Sequence, residues 1–145
     1  MSSVVRIGGW KAARLVDVPY RTLDHWIRTD LLTVEVPADG AGSRRDFSFL
    51  DLLRAKTVAE LRRQGVSLQQ IRRAQGLLTE RWGEVDPLGQ GHRLVLADNG
   101  ELMWAVDDRT LMQIVSGQLA GRAFMVLPIG TWASEVREAM AALAA

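Results

Sequence analysis

The stretch from Trp10 to Thr29, WKAARLVDVPYRTLDHWIRT, constrains this chain more than any other. It holds two short helical patterns separated only by the DVP of Asp17 to Pro19. In the first pattern Trp10, Ala13 and either Val16 or Leu15 recur at the spacing of one helix face. Proline lacks the N–H that a first helical turn leaves unpaired, so Pro19 is suited to open a second helix running to about Thr29. On that helix Leu23, Trp26 and Ile27 fall on one side, and Arg21, Asp24, His25 and Arg28 on the other. Two short helices joined by so tight a turn make a helix-turn-helix. The apolar side of the second anchors it, and the polar side must meet water or a partner.

The following segment, TVEVPADGAGSRRDF, reads as an extended piece, a glycine-rich tip and a basic return, hence a hairpin wing. At Ser48 a third helix begins. The serine caps it and Asp51, at the third helical position, reaches back in a capping box. Leu50, Leu53, Val58 and Leu61 carry this helix to about Gln64, and Gly65 ends it. SLQQ at 67–70 repeats the capping logic and opens a fourth helix through Ile71, Ala74, Leu77 and Leu78. Beyond the Pro- and Gly-bearing stretch GEVDPLGQG the period changes to alternation. Two apolar runs flank Asn99-Gly100, a dipeptide suited to a hairpin turn. DDRTLMQIVSG predicts a short helix closed by Gly117, RAFMVLPIG a third strand, and TWASEVREAMAALAA a final helix capped by Thr131. The expected fold class is α+β. A winged helix-turn-helix of four helices over 1–80 is followed by a linker over 81–91 and a small ββαβα domain over 92–145, with a three-stranded antiparallel sheet.

The charges divide along the same line. Residues 1 to 75 carry thirteen Lys and Arg against eight Asp and Glu, a net of +5, whereas residues 76 to 145 carry five against nine, a net of −4. A basic half beside an acidic half suggests two tasks, the first facing a polyanion. The absence of cysteine removes disulfides, zinc fingers and thiolate nucleophiles, and two histidines far apart offer little for metal or general-base chemistry. With no Ser/His/Asp grouping and no phosphate loop, no enzyme and no cofactor is expected. No apolar run is long enough to span a bilayer or serve as a signal peptide, so the expected location is the cytoplasm, with no membrane partner.

AARLVDVPYRTLDHWIRTDLL, then RRDFSFLDLL, then LRRQGVSLQQIRRA resembles, in order and spacing, the DNA-binding domain of MerR-type regulators over about residues 7–78. Six separated elements agree. Asp17 and Pro19 replace the glycine and serine usual in that family's turn. The long dimerisation helix that follows in the family is interrupted here by Trp82-Gly83 and Pro87, and the metal-binding cysteines of its metal-responsive members are missing.

The resemblance implies that the second helix enters the major groove of duplex DNA, where all four base pairs present distinct hydrogen-bonding patterns. Tyr20, Arg21, Asp24, His25 and Arg28 are the expected DNA contacts on this helix, with Arg28 also available to pair with Asp24 at i+4. Lys11 and Arg14 on the first helix and Arg44 and Arg45 at the base of the wing are expected on phosphate or in the minor groove. Arg62, Arg63, Arg72 and Arg73 divide evenly between that role and complementing helix C-termini. Trp10, Trp26, Phe47, Phe49 and Leu53 are assigned to the core, while Trp82, Trp104 and Trp132 fit either a core or a partner surface. A symmetric operator requires two recognition helices, so a homodimer is expected, joined through the ββαβα half by its final helix or by sheet-edge pairing. The alternative is a bacterial antitoxin. VSGQ at 115–118 faintly resembles the tails on MerR-like units in toxin–antitoxin operons, and 92–145 would then bind the toxin or another protein partner. A third reading is an architectural, excisionase-like DNA-binding protein.

Overall fold

The computed structural model describes residues 7–32, 34, 46–72 and 92–144. The elements in chain order are β1 (Ile7–Gly8), α1 (Gly9–Val16), α2 (Tyr20–Arg28), β2 (Asp46–Phe47), α3 (Phe49–Arg63), a helical stretch at 68–72, β3 (Arg93–Ala97), β4 (Leu102–Ala105), α4 (Asp108–Ser116), β5 (Phe124–Leu127) and α5 (Ile129–Ala144). The mixed α+β class is as expected. Two compact units emerge, one formed by residues up to Ile71 together with those from Glu135 onward, the other by Arg72–Ser134. The wing over 35–45 with Arg44 and Arg45, the fourth helix beyond 72, and the 81–91 linker with Trp82 lie outside the described residues.

In the first unit the α1–α2 turn is closed by local chemistry. Asp17 adopts the left-handed conformation, φ 60° and ψ 50°, and its N–H bonds back to the carbonyls of Ala13 and Arg14. Pro19 is the N-cap of α2 and not its first helical residue. Its extended backbone (φ −60°, ψ 142°) turns the chain, and its carbonyl accepts from the N–H groups of Thr22 and Leu23. The C-terminal carbonyls of α1 receive a distant donor. The Arg63 guanidinium, on α3, donates to the carbonyls of Val16 (3.2 Å) and Asp17 (2.8 Å), which places a cation at the negative end of the helix dipole. Arg62 donates to the Val66 carbonyl at 3.0 Å. These two arginines therefore serve the packing of helix ends.

The core of this unit gathers Ala12, Ala13 and Val16 of α1, Leu23 and Trp26 of α2, Leu31, Leu32 and Val34 beyond it, Phe47, and the Leu52, Leu53, Val58 and Leu61 row of α3. Phe49 is half-buried. Trp10 departs from its core assignment. Because α1 begins at Gly9, its inward face runs through 9, 12, 13 and 16, and the Trp10 side chain is 72% exposed. An N-terminal pairing that the sequence did not suggest joins β1 to β2, with Ile7 opposite Phe47.

Helix α3 starts as expected. The Asp51 N–H donates to Ser48 Oγ (3.3 Å), and the Ser48 N–H donates to Asp51 Oδ2 (3.1 Å). Asp51 is fully buried, and its other oxygen takes the Arg54 guanidinium at 3.2 Å. Asp51→Ala should cost about 2–3 kcal/mol, combining a lost cap with a buried N–H and a guanidinium left short of acceptors. Thermal melts compared with an exposed Gln69→Ala control measure this.

The second unit is built on a three-stranded antiparallel sheet with β3 in the middle, order β4-β3-β5. Its hairpin turns through Asp98, Asn99 and Gly100, and of these only Gly100 has positive φ (86°). The loop is thus the longer turn ending on a left-handed glycine, with the Glu101 N–H held by Asn99 Oδ1. Helix α4 is capped by Asp107, whose carboxylate accepts from the Thr110 N–H at 2.7 Å and is held below the usual carboxylate range by that bond. Leu111 and Ile114 of α4 pack with Met103 against a small core of Val95, Ala97 and Leu119. Arg122 clasps Asp98 with two donors (2.6 and 3.0 Å) and likewise lowers its pKa. Helix α5 begins two residues before the expected Thr131 cap. Pro128 supplies the first carbonyl, accepting from the Trp132 N–H. Burial of Ile129 and Gly130 fixes that start, and Thr131 stays exposed. Trp132 is buried and Trp104 half-buried. Among the described residues no helix is long and apolar enough to cross a membrane.

Candidate nucleic-acid interface

Helix α2 turns two unlike faces outward and inward. Leu23 and Trp26 are buried, and each of the Leu31 and Leu32 N–H groups bonds the Trp26 carbonyl, so the chain leaving the helix is tied to the same anchor. The opposite face presents Arg21, His25 and Arg28, all exposed, with Asp24 half-buried among them. Their i, i+4 and i+7 spacing puts the three donors in one row along about two turns. Asp24 accepts from Arg28 Nε at 2.8 Å. The pair holds Asp24's charge against a cation, which lessens the cost of an acid near phosphate. Arg21 carries no such partner among the described residues, and it remains the most available fork on the helix.

Tyr20 opens α2 half-buried, and its ring stacks on Trp10, centroids 4.5 Å apart and planes 14° from parallel. Gly9 makes room for this stack, since a Cβ there would lie 2.5 Å from the tyrosine ring. The exposed tryptophan thus stands beside the first turn of α2 and belongs to the same surface. Sequence reasoning missed it; the small residues Ala12 and Ala13, which set the inward phase of α1, were the available signal. Lys11 and Arg14, three residues apart on α1, are both exposed. Together with Leu15, Ala139, Ala142 and Leu143 they line a shallow groove of about 430 Å³ in the first unit. A second recess runs along the turn itself past Arg14, Asp17 and Pro19. The structure so brings Lys11, Arg14, Tyr20, Arg21, Asp24, His25 and Arg28 onto two successive helices. Arg44 and Arg45 lie outside the described residues.

Residues 11–76 match the model of the MerR HTH family regulatory proteins. This segment is a MerR-type helix-turn-helix domain. The chain is also similar to uncharacterized HTH-type transcriptional regulators of Mycobacterium bovis and Mycobacterium tuberculosis, 40% identical over 74 residues. That alignment takes in 50% of this chain and 33% of each relative, so the chain spans about a third of the length of the curated relatives it matches. Within this domain Asp17 occupies the left-handed backbone region that a glycine would enter without strain. Its short side chain tolerates the left-handed conformation better than most others.

Proposed function

We propose that this chain is a DNA-binding transcriptional regulator that works as a homodimer and reads the major groove with α2, while Lys11, Arg14 and the wing arginines Arg44 and Arg45 engage phosphates or the minor groove. The observation that carries the reading is the division of α2 between a buried Leu23–Trp26 anchor and an exposed row of Arg21, His25 and Arg28 on a MerR-type domain. Such a helix is held rigidly from behind, as base readout requires. Duplex DNA is the partner, no cofactor enters, and the protein acts by occupancy of DNA with no chemical step.

A salt titration tests it. Engaging about six phosphates predicts a log–log slope of about −5 for binding duplex DNA, each contact releasing close to one counterion. Lys11→Ala and Arg14→Ala should each make that slope shallower by about 1 while leaving the preference among sequences unchanged. Fluorescence anisotropy over a range of salt concentrations measures both, and affinity that ignores salt would overturn the reading.

A further inference from the structure

The two outer strands of the second unit's sheet differ in a way the regulator reading leaves unused. Hydrogen-bond parity across β3 decides which backbone groups each outer strand turns away from the sheet. The Ala97 N–H donates to the Glu101 carbonyl on the β4 side, and the Asp98 N–H donates to the Ala123 carbonyl on the β5 side. With Leu96 opposite Met125 and Leu94 opposite Leu127, alternation assigns Ala123, Met125 and Leu127 to β3. Phe124 and Val126 therefore turn their N–H and C=O groups outward. The same counting on β4 turns out Leu102 and Trp104, whose side chains are buried and half-buried. On β5 the outward residues are also the exposed ones, Phe124 at 40% and Val126 at 38%.

Among the described residues this edge lacks the side-chain safeguards usual for an open strand. No charged residue, proline or glycine interrupts 123–127, whereas unpartnered edges are ordinarily blunted by such residues. The open stretch also has defined ends. On one side the Arg122 N–H already bonds the Leu119 carbonyl; on the other Pro128 has no N–H, and its carbonyl is taken by Trp132. What remains without a partner among the described residues is a set of four groups, the N–H and C=O of Phe124 and of Val126.

We propose that β5 pairs antiparallel with β5 of a second copy of this chain about a two-fold axis at Met125, joining two sheets into one of six strands. In that register Phe124 faces the partner's Val126, and Val126 the partner's Phe124, so the four open groups of each copy are satisfied by four interchain hydrogen bonds. Each apposition is also an aromatic–β-branched cross-strand pair. The neighbouring registers fail. Centring on Phe124 sets Val126 against an N–H already used at 122, and centring on Val126 sets Phe124 against proline. A strand that complements itself in one register is what an isologous contact requires. The proposal rests on the regulator acting as a pair of copies and names the surface that makes the pair.

Cysteine cross-linking and sedimentation of the full chain test it without DNA. The protein has no cysteine, so a Met125→Cys variant reports on one position only. At the two-fold axis the two Cα atoms of a non-hydrogen-bonded pair lie about 4.5 Å apart, within disulfide reach. Mild oxidation should yield a covalent dimer from Met125→Cys and much less from Met112→Cys, an exposed residue on α4. Val126→Lys should convert a sedimenting dimer to a monomer with an unchanged circular dichroism spectrum. A wild-type chain that sediments as a monomer overturns the proposal, including the case in which a different protein takes this edge. So does a dimer that survives Val126→Lys and refuses the Met125→Cys disulfide. If Val126→Lys fails to fold, the disulfide decides. Loss of the salt-dependent DNA binding described above would instead sink the regulator reading, leaving this contact standing.

Discussion

Trp26→Ala should lower the stability of the first unit by about 3–5 kcal/mol, the range for removing a large aromatic from a packed core. The side chain is 5% exposed, and the Trp26 carbonyl holds two N–H groups beyond the helix, so the void opens where α2 is fastened. Chemical denaturation should show a midpoint far below wild type, and DNA binding should fall at temperatures where the variant still folds in part. The control is Trp10→Ala. With its ring mostly in solvent and only the Tyr20 stack to lose, it should shift stability by about 1 kcal/mol or less. Comparable losses in the two variants would mean that the inward phase of α1 is not the one described.

Arg21→Ala should reduce affinity for the specific operator by about 10- to 100-fold, the discrimination of one forked arginine on a guanine edge. Binding to random duplex should weaken only by the loss of one phosphate-range charge. The contrast between the two losses is the diagnostic quantity. Arg21 is the exposed guanidinium of α2 that holds no acid among the described residues, whereas Arg28 is engaged with Asp24. Competition binding with operator and scrambled duplexes measures it; equal losses on both would assign Arg21 to phosphate and leave base readout to other residues of the helix. Arg28→Ala should cost less on operator than Arg21→Ala, since its charge is already shared.

Most features set by neighbours in sequence were legible beforehand. The Ser48–Asp51 box, the Gly65 stop and the hairpin at Gly100 each depend on groups a few residues apart. Likewise, the polar row of α2 and its i+4 pair follow from helical spacing alone. The errors came where two residues of similar character competed for one position. Trp10 is as apolar as a core residue, and periodicity over an eight-residue helix does not tell a phase of 10, 13, 16 from one of 9, 12, 13, 16. The start of α5 was displaced for a related reason. Thr131 is a good cap by chemistry, yet burying Ile129 outweighed it.

By itself, then, the chain's order of residues determined the helix-turn-helix, most of the caps and turns, the split of charge, and which side chains of α2 share its polar face, because these rest on interactions spanning one or two helical turns. Tertiary structure decided the phase of α1, the β1–β2 pairing, the use of Arg63 to close a helix 46 residues away, and the strand order that leaves β5 at an edge. Those outcomes depend on which distant surfaces exclude water together, a competition among many apolar faces that no local pattern ranks.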